Sequence, residues 1–408
     1  WPRAKRGPSP AGRPMSPLGA PSADAQAHSA HLREVIQEQI IAAGGSIPFW
    51  KYMELALYTP GLGYYSAGAH KFGKGGDFIT APERSPLFSA GVATAIAPAL
   101  RQAGKGAVFM ELGGGSGAFA ESCLLALQDI GVLPARYAML EPSADLRQRQ
   151  RERLQAQLPA ELFARVEWLD GPIAEIWNGV LFANEVIDAL PVPRFVIRAG
   201  EVMEEHVALD GEGRFVRTEK PADAMLIGAV RNIERRLPEP LPEGYRSEAL
   251  AQLPYWMQAV VGGLQNGALL LIDYGYARSE FYQPERSDGT LRAFRQQHVT
   301  NDVFAWPGLQ DITASVDFTA VAEACVGAGF EFSGYCSQSS FLLGNGLERH
   351  LQAAEAQAAD EVARHNLRQQ VKHLTLPSEM GERFQAIGFQ RGVELDAAFL
   401  LGDLSHHL

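Results

Sequence analysis

Thirteen residues constrain this chain more than any others: Ala107-Val-Phe-Met-Glu-Leu-Gly-Gly-Gly-Ser-Gly-Ala-Phe119. Val108 to Leu112 is a short apolar run closed by glycines, which reads as a buried parallel strand. Gly113, Gly115 and Gly117 then make a turn suited to residues that tolerate positive φ. From Ala118 to Leu127 the spacing is helical, with Phe119, Leu124, Leu125 and Leu127 apolar. Strand, glycine turn and helix start form the opening unit of a nucleotide-binding α/β sheet. The alternation continues to about Tyr276. Strands are expected at 107–112, 136–141, 165–169, 180–184 and 268–274, and helices at 118–129, 144–157, about 187–190 and 247–263, the last with Ser247 as its N-cap. This is the pattern of a doubly wound parallel sheet.

The glycine turn fits two ligand templates. Gly113-x-Gly115-x-x-Ala118 satisfies a dinucleotide fingerprint, whose helix N-terminus faces a pyrophosphate. Glu111-x-Gly113-x-Gly115-x-Gly117 satisfies the pattern of S-adenosylmethionine (SAM) binding. Glu111 favours the second, because a carboxylate at the strand end repels a pyrophosphate and complements the ammonium of SAM. A purely structural tight turn is the plainer alternative. Glu141 ends the next strand, 24 positions after Gly117, close to the roughly 20 expected of an acid that binds ribose hydroxyls. It points to an adenosine ligand without choosing between SAM and NAD, and a solvated acid is the bland reading. Trp168 or Asp170 could contact an adenine ring, with core packing at least as good an account of Trp168.

Gly179-Val-Leu-Phe-Ala-Asn-Glu-Val-Ile-Asp-Ala-Leu-Pro191 runs an apolar strand into Asn184, Glu185 and Asp188. At the carboxyl end of a central strand these groups face the ligand crevice. Two carboxylates and an amide there suit a guanidinium or ammonium; a helix cap would account for Asn184 or Asp188 alone. Leu269 to Gly275 is a second buried strand, bringing Asp273 and Tyr274 to the same side. A NAD-dependent oxidoreductase fits the dinucleotide template but lacks a catalytic His/Lys constellation.

Residues 1–27 are rich in Pro, Gly, Ala and Arg, with no acid before Asp24, and are expected to be disordered. Residues 28–105 read as a helical region: His31–Ala43, a second helix N-capped by Ser46 and running to Tyr58, and an apolar helix over Leu87–Leu100. The glycine-rich, charged stretch Lys71–Glu83 between them is a lid candidate. The main domain would occupy 106–408, with short antiparallel strands inserted at about 195–245. Phe330–Gly344 suggests a hairpin and Leu351–Leu374 a charged helical stretch, whereas Gly388–Phe399 is ambiguous. Arg147–Arg153 reads as a solvated helix face, and His406-His407 as a disordered end.

The net charge of −11 argues against nonspecific nucleic-acid binding, which draws on released counterions. Three cysteines without CxxC spacing, and ten histidines without paired metal-ligand spacing, argue against a structural metal site. No apolar stretch reaches the roughly 18 residues of a membrane span. The sequence sets no oligomeric state.

These motifs, in this order, resemble those of the MidA-type methyltransferases, which include a mitochondrial complex I assembly factor that methylates a protein arginine. The matching pieces are Tyr58-Thr-Pro-Gly-Leu-Gly-Tyr-Tyr65, Gly76-Asp-Phe-Ile-Thr-Ala-Pro-Glu83, Glu111-Leu-Gly-Gly-Gly-Ser-Gly117, Ala183 to Pro191, Ile272-Asp-Tyr-Gly275, Gly289-Thr-Leu-Arg292 and Asp311-Ile-Thr-Ala-Ser-Val-Asp-Phe318. The resemblance implies a class I, Rossmann-like SAM-dependent methyltransferase sheet with the N-terminal helical region packed over the cofactor. It places SAM contacts at Glu111, Gly113, Gly115, Gly117 and Glu141, with Asp77, Thr80, Pro82, Glu83 and Asn184-Glu185 nearby. Gly114, where relatives often carry proline, would loosen the turn. The implied reaction is methyl transfer to a protein arginine, with Glu185, Asp188 and Asn184 orienting the guanidinium and a link to respiratory-complex assembly. The implied location is the cytoplasm for a bacterial chain and the mitochondrial matrix for a eukaryotic one. A non-catalytic assembly protein on the same fold is the competing expectation.

Overall fold

A computed structural model describes residues 19–67, 80–296 and 298–408 of the chain. The central sheet forms where expected. In spatial order its strands are Glu331–Ser337, Phe384–Arg391, Leu264–Tyr276, Trp177–Asn184, Val108–Leu112, Arg136–Leu140 and Val166–Leu169. The last five run parallel to one another, while Phe384–Arg391 lies antiparallel to both its neighbours. Chain order therefore reverses between Val108–Leu112 and Trp177–Asn184, the switch point at which α/β sheets open a crevice beyond the strand carboxyl ends.

Side-chain alternation sends successive strand residues into two cores. Phe109 faces the helices Pro86–Ala103 and Ala118–Ile130, its ring stacked on Tyr137 at 4.8 Å between centroids. Val108, Met110 and Leu112 face Leu253–Val261 and Phe318–Gly327 on the other side. With both faces covered, the strands must be nearly continuously apolar, which is why they were visible in the sequence.

The N-terminal region departs from expectation. Its first helix begins at Ala23 and not near His31, capped by Ser22, so the part of the supposed disordered tail from Ala23 onward is helical; residues 1–18 lie outside the described residues. Ser46 is no N-cap. It pairs with Ala208 in a short strand, Ser46–Pro48, and the helix starts at Phe49 behind Pro48. That strand completes a sheet with the inserted strands Glu201–Leu209, Arg194–Arg198, Arg246–Glu248 and Phe215–Pro221. Leu32, Ile36, Phe49, Tyr52, Val207 and Phe215 share one core, so N-terminal helices and insertion pack as a single layer.

Three further expectations fail for local reasons. Ser247 lies in an edge strand opposite Phe195, and the helix after it begins only at Leu253, with Pro254 in its first turn. Residues 187–190 form no helix, because the Asp273 carboxylate accepts from the amides of Ile187 and Asp188 at 3.0 and 3.3 Å and holds a turn instead. Phe330–Gly344 is a strand followed by a helix capped by Ser337, and the strand's partner is the distant Phe384–Arg391. The charged helical stretch forms as expected, as two helices, Leu347–Gln357 and Glu361–Thr375, the second capped by Asp360. Gly388–Phe399 resolves into the end of strand Phe384–Arg391 and a short 3-10 turn at Asp396–Phe399, while His406-His407 sit in another.

Candidate active site

The glycine turn springs directly from the strand Val108–Leu112. Gly113, Gly115 and Gly117 take φ of 64°, 52° and 83°, a region that β-carbon-bearing residues avoid. A Cβ at Gly115 would meet nothing within 4 Å, so the crown of the turn opens onto free space. Gly114 is not the loose point expected of it. A Cβ there would fall 2.3 Å from Met139 Cε and 3.2 Å from Gln150 Nε2, so the turn is packed hard against the neighbouring strand and helix.

Glu111 and Glu141 flank this turn, both nearly sealed from solvent. Glu111 accepts from the Tyr137 hydroxyl at 2.8 Å. Burial pushes its carboxyl up to about 8, against the effect of that hydrogen bond, with Glu141 adding like charge. Glu141 accepts from the Ser143 amide at 3.0 Å and from Gln150 Nε2 at 3.3 Å. Burial raises its pKa, partly offset by the hydrogen bonds from Ser143, Gln150 and the Gly115 amide and by Arg147. Two buried acids either side of an open glycine crown match the requirements of SAM: a carboxylate for the ammonium, another for the ribose, and bare backbone between. On chemistry and space the residues fit that group.

Gln150 was invisible in the sequence. It sits in the Arg147–Arg153 run read as a solvated face, yet it is fully buried. Its amide donates to Gly115 O at 2.9 Å and to Glu141, and accepts from Trp168 Nε1 at 2.9 Å. Arg147 is likewise turned inward, donating to the Glu141 and Leu169 carbonyls. Trp168 therefore touches the glycine turn through Gln150, with Arg151 lying over its ring; Asp170 is exposed and paired with Arg147. Gln150→Leu is expected to lower stability by about 1–3 kcal/mol, the cost of stranding buried polar partners, and to weaken SAM binding. Urea unfolding with and without SAM would measure both.

Asn184 and Glu185 end the adjacent strand, directly beside the turn, since Leu112 pairs with Ala183. Glu185 takes the left-handed conformation, φ 55°, and its amide is held by Ile272 O at 2.9 Å. Its carboxylate accepts from Asn184 Nδ2 at 3.1 Å and from the Ala81 amide. Ala81 opens the one-turn helix Ala81–Arg84, which places Thr80, Pro82 and Glu83 around the same end of the sheet; Pro82 is buried and Glu83 exposed. Asp77 lies outside the described residues, as does most of the lid candidate. Burial lifts Glu185 to about 8, with Asp188 the next contributor. Asp188 is raised well above the usual carboxylate range by burial and by Asp273 and Asp311, and Tyr274 opposes the shift.

Asp273 and Tyr274 reach this point from the next strand, and Asp273 is itself lifted to about 8 by burial and by Glu185. Asp311 joins them, accepting from Tyr65 Oη at 2.8 Å. Tyr58 Oη donates to Ala189 O at 2.9 Å and stacks on Tyr65, whose own carbonyl accepts from Ser143 Oγ. The Tyr58–Tyr65 segment thus ties the acid cluster to the turn after Glu141. Both Tyr58–Tyr65 and Asp311 fall in motifs that stand out in the sequence, but nothing in the sequence joins the two. Among the described residues, Glu185, Asp188 and Asp273 form no ion pair with any Lys, Arg or His. Buried carboxylates without a cation are costly unless they stay protonated or a cationic ligand completes them.

Comparison with known proteins agrees with this geometry. Residues 92–336 match the model of the family described as "Putative S-adenosyl-L-methionine-dependent methyltransferase". The mitochondrial protein arginine methyltransferase NDUFAF7 of Danio rerio is 30% identical over 373 residues, covering 85% of this chain and 83% of its own. Its Drosophila melanogaster homologue is 29% identical, with 92% and 89% covered. A crystal structure of a Burkholderia thailandensis protein bound to S-adenosyl-homocysteine superposes with a TM-score of 0.87 at 41% identity, over 96% of this chain and all of that one. With a glycine turn flanked by buried acids on a 3-2-1-4-5 sheet, and relatives matched over most of its length, the chain belongs to the MidA-type family of SAM-dependent methyltransferases.

Proposed function

We propose that the chain transfers a methyl group to a guanidino nitrogen of an arginine in a protein substrate. The carrying observation is the pair Glu185, half-buried on the crevice wall, and Asp188, buried, with no cation beside them among the described residues at the strand end next to the glycine turn. A guanidinium is planar and offers several N–H donors in a fixed fork, so two carboxylates can hold it while one nitrogen stays free to react. The arginine methyltransferase relatives are consistent with this target.

SAM, when bound, supplies an electrophilic methyl group. Everything else falls to the chain. Glu111, Gly113, Gly115, Gly117 and Glu141 would hold the donor, with Thr80, Pro82 and Glu83 closing the near side. Asn184 orients Glu185, and Asp273 sets the turn that carries Asp188. Positioning and charge complementarity are the main sources of acceleration in such a site. The nitrogen must shed a proton as it is methylated, and a carboxylate raised toward neutrality by burial is suited to take it; Asp188 has that environment.

The test is to incubate the protein with methyl-tritiated SAM and an extract of its source cells lacking the gene, then hydrolyse the labelled proteins to amino acids. Label is expected in methylated arginines. Label confined to lysine, histidine or carboxyl methyl esters would overturn the arginine assignment and leave the methyltransferase family intact.

A further inference from the structure

A crevice of about 870 Å³ opens beside the acid cluster, with Glu185 and Tyr274 on its wall. It is far larger than one arginine side chain needs. Four arginines line it, Arg84, Arg286, Arg292 and Arg383, and among the described residues none of them forms an ion pair. Most other arginines among the described residues of this acidic chain are paired, for example Arg147, Arg194, Arg246 and Arg278. Unpaired cations gathered at one wall are a recognition surface for anions.

The four are not equivalent. Arg286 lies 4.0 Å from the Tyr276 ring centroid and donates to backbone carbonyls, so it is committed locally. Arg383 is exposed and follows Glu382 in the chain, and with Glu280 and Glu379 also lining the crevice the charge around it is mixed. Arg84, half-buried, and Arg292, exposed, stand on elements that reach the acid cluster. Arg84 closes the one-turn helix whose first amide, at Ala81, donates to the Glu185 carboxylate. Arg292 stands opposite Thr313 in its ladder, and the same ladder sets Phe294 opposite Asp311 of the acid cluster. The two arginines thus line the crevice from two different elements, each of which meets the acid cluster. The wall behind Arg292 is rigid: Gly289 is pressed against the Glu248 carboxylate, which accepts from the Thr290 amide at 2.8 Å.

Resting on the arginine reading above, we infer that this crevice selects protein segments in which the target arginine is accompanied by an acidic residue. Glu185 and Asp188 receive the guanidinium, and Arg84 and Arg292 receive the neighbouring carboxylate. An extended chain advances about 3.3 Å per residue, so the acid belongs within a few positions of the arginine. Lysine or arginine at those positions meets like charge and is disfavoured.

The test uses the full chain and two sets of otherwise neutral eleven-residue peptides with a central arginine. One set carries Asp or Glu near the arginine, and the other carries Gln or Lys at the same positions. Binding is read by fluorescence anisotropy in the presence of S-adenosyl-homocysteine, and methyl transfer separately from labelled SAM. Acidic peptides are expected to bind about tenfold more tightly than neutral ones, equivalent to two modest charge-assisted contacts. Arg84→Ala and Arg292→Ala should each reduce that preference, with a melting curve confirming the fold. Equal binding of the two sets, or a preference for lysine, overturns the inference. Arginine-dependent methyl transfer without acid preference would sink it and leave the arginine reading standing. Acid-selective binding that Arg84→Ala and Arg292→Ala weaken, without methyl transfer to arginine, supports the crevice and rejects that reading.

Discussion

Glu185→Gln is expected to lower methyl transfer by about 100- to 1000-fold, the range seen when one positioned group of a preorganised site is removed, while SAM and S-adenosyl-homocysteine still bind. The substitution is nearly isosteric. It keeps the left-handed backbone at φ 55° and leaves an acceptor for Asn184. What it removes is the charge opposite the guanidinium, leaving Asp188 to hold the substrate alone. The parent's kcat/KM should rise as pH passes through about 8, where burial places the Glu185 carboxyl. Below that pH the free enzyme is protonated there and must lose a proton to accept the cation. Single-turnover transfer beside a titration with S-adenosyl-homocysteine would separate the two effects. Transfer at the parental rate would remove Glu185 from the mechanism.

Glu111→Gln should act on the other substrate. Removing one partner of a buried charge pair costs about 2–3 kcal/mol or more, which is roughly 30- to 150-fold in SAM affinity. The pH signature follows from the same residue. Without a cation beside it, Glu111 is lifted to about 8 by burial and is mostly protonated at neutral pH. An arriving ammonium stabilises the carboxylate, lowers its pKa and expels the proton, so SAM affinity should rise with pH up to about 8. Titrations at pH 7 in buffers of different ionisation heat should show about one proton released by the parent and less by the variant. Stability runs the opposite way. Glu111, Glu185 and Asp273 all have folded pKa values raised to about 8. The free folded protein therefore holds more protons than the unfolded chain between the ordinary carboxylate range and pH 8. Its stability is greatest at the acidic end of that window and falls as pH rises through it. Denaturation midpoints of the free protein at pH 5.5 and 8.5 would check the sign.

The sheet was legible because its strands are buried on both faces and its turns carry glycine, both local properties of sequence. Glu111, Glu141, Asn184 and Glu185 were legible for the same reason: each ends an apolar run, and the ends of parallel strands converge on one crevice. What stayed hidden depends on distant partners. Ser46 and Ser247 look like helix caps until Ala208 and Phe195 pair with them. The strand Glu331–Ser337 has its ladder partner some fifty residues on, with three helices between, so the apparent hairpin had no local contradiction. Gln150 stands among four arginines on a helix with only two buried residues, where nothing in the sequence marks it as the buried one. Asp311 acquires its neighbours from Tyr65 and from the strand ending at Tyr276, neither of them near it in the chain.

The most direct test is isothermal titration of the purified chain with SAM, S-adenosyl-homocysteine and NADH. Glu141 would serve the ribose of either cofactor, so the choice between them rests on Glu111 and the open glycine crown. Micromolar binding of SAM and its demethylated product, with no heat from NADH, is the predicted result. Binding of NADH, or silence toward SAM from a folded sample, would contradict it.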